Sequence, residues 1–365
     1  MDVSSEMIHA LLPVFMITSL GASAFTVGLL EGLAESTALL VKVFSGVLSD
    51  AIGRRKPLAL FGYGLGAATK PFFALATASS TIFAARLVDR IGKGVRGAPR
   101  DALVADLAPP EIRGAAFGLR QSLDTVGAFL GPLLAVALML ATGDDFRAVF
   151  WWAVIPAVLS VALLAFGIRD TPPSRMMRAN PLARDSLRRL GPACHRIVLL
   201  GAVFSLARFS EAFLVLRAQT IGVPLAFVPL VMVVMNVVYA SAAYPFGKWS
   251  DRMAARDLLA ASLVVLVVAD LVLAVADSPA ALAGGVVLWG LHMGMSQGLL
   301  ARMVADVAPP ELRGTAFGAF NFASGLALLV ASGLAGFLWE AHGPQATFIA
   351  GAGFSASTWL LLRRF

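Results

Sequence analysis

The sequence predicts an all-α integral membrane protein with twelve transmembrane helices in two related six-helix halves. Two observations carry this prediction: the chain is very apolar, and a fourteen-residue phrase occurs twice. Hydrophobic residues make up 58% of the 365 residues and only 14% are charged, whereas soluble domains average roughly 45–50% apolar and about 25% charged residues. A spanning helix needs about 20 mostly apolar residues, so a chain of this length holds about twelve with short loops.

The repeated phrase relates the two parts of the chain. Residues 105–118 read ADLAPPEIRGAAFG and residues 305–318 read ADVAPPELRGTAFG, with eleven of fourteen positions identical at a constant offset of 200. An internal repeat of this period indicates duplicated halves. In an apolar chain, such halves predict a binding site between them. The prolines of the phrase are expected to end one helix and to precede the next.

Hydropathy places six candidate spans in each half. Because backbone groups must be satisfied inside a bilayer, every span is predicted to be helical. The segment 169–196 is rich in Arg and Pro and is predicted to be a cytoplasmic linker between residues 1–168 and residues 197–365. The polar stretch at residues 2–6 is expected either to lie at the cytoplasmic interface or to mark a first helix trimmed at its start, and we favour trimming. The spans are predicted near 3–21, 25–48, 57–78, 81–105, 115–141 and 148–168, then near 197–221, 225–247, 258–276, 280–304, 315–339 and 345–362.

The distribution of basic residues predicts a multi-pass protein of the cell inner membrane with both termini in the cytoplasm. Lys and Arg concentrate in alternate loops and in the linker, while residues 21–23 and 76–79 carry none. Cytoplasmic loops hold this excess of positive charge. The net charge of +7 therefore predicts no nucleic-acid partner. No catalytic motif, metal site or cofactor fingerprint is found, and the single Cys194 forms no intramolecular disulfide. The chain is not expected to be an enzyme.

Three motifs characterise the loops and helices. One follows the second span and has a degraded copy after the eighth. Another is a run of charges in the fourth span. The third is the spacing G-x8-G-x3-G-P in the fifth span. The predicted gating motif comprises Gly46, Asp50, Gly53, Arg54, Arg55 and Asp251, joined by Glu111, Arg113, Glu311 and Arg313 of the repeated phrase; the fifth-span motif comprises Gly118, Gly127, Gly131 and Pro132.

With these motifs the chain resembles the major facilitator superfamily over nearly its full length. The resemblance implies two six-helix halves that rock about a site near the bilayer midplane. It also implies a loop motif that latches one conformation, and a fifth span typical of antiporters, in which small residues four apart let helices approach closely. Ala135 and Val136 replace the usual Gly-Gly ending of that motif. The expected function is proton-coupled transport of a small organic solute by a monomer, with efflux by antiport preferred.

Charged residues inside the spans are the candidates for proton coupling and substrate binding. Such residues are costly in a bilayer and face a cavity or one another. Partial desolvation raises the pKa of a carboxyl group, as a proton carrier requires. The candidates are Glu6, Glu31, Glu35, Arg86, Asp89, Asp124, Arg208, Glu211 and Arg217. Arg217, Lys70, Arg120 and Arg302 are expected to give the cavity a positive surface.

Spacing predicts several ion pairs among these residues. Arg86, Asp89, Arg90 and Lys93 lie three and four apart on one helical face, as do Arg208 and Glu211 in the seventh span and Arg120 and Asp124 in the fifth. For each single residue the alternative is a static pair that joins two helices. Two other functions stay open: proton-coupled uptake of an organic anion by symport, and a non-transporting membrane receptor on the same fold.

Overall fold

The computed structural model describes residues 1–52, 54–109, 113–168, 190–250, 252–296, 298–309 and 312–363. All regular elements in these ranges are helices, and the described ranges contain no strand. The predicted all-α class is therefore confirmed. The predicted linker residues 169–189 lie outside the described residues.

The first half contains eight helices that form six successive segments. Helices α1 and α2 make one segment with a 41° bend, and α7 and α8 make another, which is 22 residues long. Pro132 lies inside α6. The helices are α1 Asp2–His9, α2 Leu12–Leu20, α3 Ala24–Ile52, α4 Arg55–Leu75, α5 Ser79–Leu107, α6 Arg113–Thr142, α7 Phe146–Trp152 and α8 Val154–Gly167.

The second half follows the same order. Helices α9 and α10 form one segment that is interrupted at residues 208–211, and α13 and α14 form another. Helix α9 begins inside the segment assigned to the linker. The helices are α9 Pro192–Ala207, α10 Ala212–Thr220, α11 Leu230–Ser250, α12 Ala255–Val275, α13 Pro279–Ser296, α14 Leu299–Val307, α15 Arg313–His342 and α16 Pro344–Arg363, with a short 3-10 turn at Leu225–Phe227.

The length and composition of the helices fit a membrane protein. Among the described residues, eight segments are long and apolar enough to cross a bilayer, or nine when α1 and α2 count as one span. Helices α5, α13 with α14, and α16 complete the twelve predicted segments. Helix α5 is 29 residues long and carries the charges of the fourth span.

The repeated phrase lies where the sequence predicts. Helix α5 ends at Leu107 and α14 ends at Val307, while α6 and α15 begin at Arg113 and Arg313. The offset of 200 is thus kept at both ends of the connection. The side-chain pairs expected there stay predictions, because Glu111 and Glu311 and the side chains of the two arginines lie outside the described residues.

The two halves pack together through α3 against α15, α6 against α11, and α2 against α10. The closest approach is at the beginning of α3. A Cβ atom on Gly28 would collide with the carbonyl oxygen of Ser332, and one on Gly336 would lie 2.7 Å from the carbonyl oxygen of Ala24. One buried apolar cluster joins both halves at this end, whereas a second cluster belongs to the C-terminal half alone. The halves are therefore sealed at the end away from the basic loops.

Candidate functional site

A cavity of about 360 Å³ lies between the halves. Helices α1, α3, α5 and α6 line it from the first half, and α9, α11, α13, α15 and the interruption before α10 line it from the second. Its wall is unusually charged for the interior of a membrane protein. The charged or titratable side chains are Glu6, His9, Glu31, Glu35, Arg90, Lys93, Arg208 and Glu211; the aromatic ones are Phe204, Phe209 and Trp289.

The interruption of the seventh segment places two of the predicted residues in the cavity. Helix α9 ends at Ala207, and Arg208 has φ −112° and ψ 69°, outside the helical region. Ser210 donates its backbone N–H to Ser332 Oγ at 3.2 Å, so the non-helical backbone is tied to α15. Irregular backbone is tolerated at membrane depth where it lines a cavity.

Arg208 and Glu211 do not form the ion pair that their spacing predicts. That spacing brings side chains together only on an intact helix, and the helix is broken between them. Neither residue has an ion-pair partner within 4.0 Å in the part of the chain that the structure describes. The Arg208 guanidinium instead lies 5.9 Å from the centroid of the Phe204 ring. Lys93, also in the cavity wall, likewise lacks an ion-pair partner among the described residues.

The carboxylates of α3 are each paired with an arginine of α5. Arg86 Nη2 lies 2.8 Å from Glu31 Oε2, and both side chains are 1% exposed. Arg90 Nη1 lies 3.1 Å from Glu35 Oε1. The two acids are one turn apart, and the facing guanidinium groups offset their mutual repulsion.

His9 connects the acids of two helices and was missed from the sequence. Its Nδ1 lies 3.4 Å from Glu6 Oε2, and its Nε2 lies 3.5 Å from Glu31 Oε2. The spacing of three between Glu6 and His9 is the signal that could have found it. An imidazole between two carboxylates has one ring nitrogen facing each of them, so it can pass a proton from one to the other.

Asp89 pairs outside its own helix. Lys70 Nζ on α4 lies 2.8 Å from Asp89 Oδ1 and donates to Ser5 Oγ at 3.1 Å. Of the partners predicted along α5, only Arg90 approaches Asp89, at 3.8 Å. Helix α5 packs between α3 and α4, so its charges meet partners on those neighbours and not on one shared face.

We expect loss of one partner of this buried pair to destabilise the protein strongly. The Lys70→Ala substitution removes the near partner of the buried Asp89 charge and leaves only Arg90 at 3.8 Å among the described residues, and breaking such a buried pair costs about 3–5 kcal/mol. A double substitution, Lys70→Met with Asp89→Leu, removes both charges and should recover most of that loss. Thermal unfolding in detergent measures both effects. Lys93→Ala is the control, and equal unfolding temperatures for it and Lys70→Ala would contradict the assignment.

The predicted positive surface is formed by other residues. Arg217 does not reach the cavity: it donates to the carbonyl oxygens of Leu273, Ala274 and Ala276 at 2.7–3.2 Å. It therefore caps the last turn of α12, where carbonyls lack helical partners and a positive charge is favourable. Lys70, Arg120 and Arg302 are also absent from the cavity wall. The cations present there are Arg90, Lys93 and Arg208.

Asp124 also lies outside the cavity wall. It forms the predicted pair with Arg120 at 3.2 Å, and Arg100 of α5 lies 3.4 Å from it. Arg120 also reaches Asp101 at 3.1 Å. These four side chains join α5 to α6, which is the static arrangement that the sequence left open as an alternative.

The fifth-span motif packs against α1. A Cβ atom on Gly127 would lie 2.9 Å from Asp2 Cβ, and one on Gly131 would lie 2.6 Å from Glu6 Cβ. The small residues thus allow the close approach that the motif predicts, beside a residue of the cavity wall.

The gating motif is described only in part. Gly46 lies near Ala98, and Arg54 is exposed before α4. Arg55 begins that helix. Gly53 and Asp251 lie outside the described residues, and so does the side chain of Asp50. Gly118 of the fifth-span motif lies in α6, and its surroundings are likewise outside the described part of the chain.

A family model described as "Major Facilitator Superfamily" matches residues 1–216 and 197–365. The chain belongs to the major facilitator superfamily and is a multi-pass membrane transporter, not an enzyme. It is 31% identical over 374 residues to an uncharacterized MFS-type transporter of Methanocaldococcus jannaschii, covering 99% of this chain and 91% of that one. It is 26% identical to multidrug resistance protein MdtH of Photorhabdus laumondii, over 91% of this chain and 82% of the relative. A crystal structure of the nucleoside transporter NupG (D323A mutant) has a TM-score of 0.82 at 13% identity, covering 99% and 96%.

Proposed function

We propose that the protein is a proton-coupled secondary transporter that exports a small organic solute by antiport. It works as a monomer in the cell inner membrane, with both termini in the cytoplasm. The observation that carries the proposal is the cavity between the halves, where Arg208, Glu211 and Lys93 present charges without ion-pair partners among the described residues.

Charges without ion-pair partners in such a cavity favour the binding of a ligand that carries the opposite charges. Burying a charge without a partner is costly. A polar solute that neutralises Arg208 and Lys93 removes this cost, which makes its binding free energy more favourable. Glu211 lies three residues from Arg208 in the same wall. An ionised Glu211 binds a cationic or hydrogen-bonding group of the solute, and a proton on Glu211 removes that contact, so proton and solute displace each other as antiport requires. Solute and proton binding are thereby coupled.

The geometry of the halves supports export from the cytoplasm. The halves are sealed at the Gly28 and Gly336 end, away from the basic loops. With those loops in the cytoplasm, the cavity faces inward. Residues 1–168 and residues 197–365 then move as two bodies about the site. The fifth-span motif, which packs against Glu6, and the multidrug-resistance relative favour efflux.

Uptake of an organic anion by proton symport is the second candidate. The observation that favours it is the pair of cations, Lys93 and Arg208, in the cavity wall. The direction of proton movement distinguishes the two candidates. Under antiport, protons leave everted vesicles as the solute enters, whereas under symport the solute and the protons cross the membrane in the same direction.

Binding in the cavity is tested by thermal shift on the purified chain. The panel contains amino acids, nucleosides, organic acids and cationic dyes. We expect at least one solute to stabilise the wild type, since a ligand at 100 times its Kd adds about 2.7 kcal/mol to the free energy of unfolding. Arg208→Ala should lose this shift, and Arg302→Ala, outside the cavity, should keep it. Equal thermal shifts of Arg208→Ala and the wild type with every solute of the panel would contradict the assignment of this cavity as the binding site.

A further inference from the structure

Asp270 is a buried acid that the transport cavity does not use. It lies in the sixteenth position of α12 and has 0% exposure. Neither of its carboxyl oxygens has a hydrogen-bond partner in the described part of the chain. An ionisable residue in a membrane segment is by default a candidate for function.

The ring of Phe209 lies close to Asp270 and also lines the cavity. Gly351 of α16 faces the carboxyl group, and a Cβ atom there would lie 2.7 Å from both Asp270 Oδ2 and Phe209 Cε1. Phe209 is itself part of the cavity wall. Its ring packs on Trp289, with 5.3 Å between centroids, and on Phe348 at 5.7 Å. A displacement of Phe209 would therefore connect the acid to the cavity.

The duplication shows what is missing around this acid. At the offset of 200, Asp270 corresponds to Lys70, and Trp289 corresponds to Asp89. The first half has a closed ion pair at these positions. The second half has a lone acid and an indole whose Nε1 also lacks a partner among the described residues. The second half thus has a single titratable group where the first half has a charge-balanced pair.

Among the described residues, the elements that neighbour Asp270 supply no counter-charge. His292 on α13 directs its Nδ1 to the carbonyl oxygen of Ser262 at 2.8 Å, Arg217 on α10 caps the end of α12, and Arg208 is in the cavity wall. Helix α16 has one charged residue, Arg363 at its last position. The described residues provide no ion pair to Asp270 within 4.0 Å. A carboxylate here would be uncompensated at a large cost, so the neutral acid is the stable form in this conformation.

We propose that Asp270 is a second proton-binding site of the transporter, separate from Glu211 and gated by the ring of Phe209. With the ring in place, the carboxylic acid keeps its proton. When the ring moves, the O–H bond breaks, the proton passes to water in the cavity, and the carboxylate remains. This inference rests on the proposed transport function, and it adds a proton that is not carried at the solute site.

Infrared titration of the purified full-length chain tests the proposal without any solute. We expect the carbonyl stretch of a protonated carboxylic acid in apolar surroundings, which disappears at alkaline pH. The Asp270→Asn substitution should remove this band, and Glu211→Gln should keep it. If Glu211→Gln loses the coupling of solute to proton transport but keeps this infrared band, the result would support Asp270 as a proton-binding site distinct from Glu211. An unchanged band in Asp270→Asn, or one that never titrates, would overturn the proposal.

A second variant keeps the test decisive if Asp270→Asn does not fold. In Phe209→Ala the small side chain opens the route from the cavity. Exchange of the carboxyl proton after transfer to D₂O, seen as a shift of the same band, should be at least tenfold faster than in the wild type. Phe348→Ala, which removes a neighbouring ring that is absent from the cavity wall, is the matched control. Equal exchange rates in Phe209→Ala and the wild type would show that Phe209 is not the gate.

Discussion

The Glu211→Gln substitution is expected to abolish proton-driven accumulation while leaving solute exchange intact. Glutamine has the shape of the protonated acid but cannot release a proton. The contacts of the solute with Arg208 and Lys93 remain, so the solute still binds and exchanges. Without proton release the solute gradient is no longer linked to the proton gradient, so internal and external concentrations become equal. Everted vesicles measure accumulation, and preloaded proteoliposomes measure exchange.

Asp306→Asn is the matched control for this experiment. Asp306 is 65% exposed on α14, where it lies 3.9 Å from Arg302 and outside the cavity. We expect it to accumulate solute like the wild type. Accumulation by Glu211→Gln at the wild-type level would exclude Glu211 as the coupling acid and would leave the Glu6–His9–Glu31 series as the remaining route.

The Gly28→Ala substitution is expected to shift the protein toward the outward-facing state. The new methyl group collides with the backbone oxygen of Ser332, and backbone cannot move aside as a flexible side chain can. Overpacking of this kind costs about 1–3 kcal/mol, which corresponds to an approximately 5–150-fold change in the conformational equilibrium. In the proposed rocking motion this contact opens in the other conformation, so only the conformation sealed at this end bears the cost.

Spin labels on the two equivalent loops measure this shift. The labels are attached to cysteines introduced as Thr77→Cys and Asp277→Cys. Both positions are exposed, they follow α4 and α12, and they are related by the offset of 200. The Cys194→Ser substitution removes the native thiol. We expect a longer distance between the labels in Gly28→Ala. Gly333→Ala is the control, since a Cβ atom there has no neighbour within 4 Å. Identical distance distributions in both variants would contradict the sealing role of Gly28.

The sequence predicts the fold well because the fold depends on long apolar segments and on a repeat. Both signals extend over many residues, so a single atypical residue does not remove them. The repeated phrase places a helix start after its prolines in each half, with spans predicted from near 115 and 315, and α6 and α15 begin at Arg113 and Arg313. The boundary of α9 is less well predicted, because Pro192 can occupy the first turn of a helix and extend it into a polar linker.

The site was predicted only in part because ion pairs depend on neighbouring helices. Spacing along α5 cannot show that Arg86 faces Glu31 on α3 or that Asp89 faces Lys70 on α4. The same limit explains why the role of Arg217 was predicted wrongly, because this residue caps a helix end 56 residues away in the sequence. By contrast, acids placed in the first and seventh spans, Glu6 and Glu211, do line the cavity, because duplicated halves bring equivalent helices to one central site.

The most direct test of proton-coupled transport is solute accumulation in energised everted vesicles, measured with the panel solute that gives the largest thermal shift. We expect vesicles with the wild-type protein to accumulate this solute, to release it when a protonophore collapses the proton gradient, and to become less acidic inside as the solute enters. Vesicles with the Arg208→Ala, Glu211→Gln double variant should show none of these changes. Accumulation that survives the protonophore, or equal behaviour of the two vesicle preparations, would contradict the proposed mechanism.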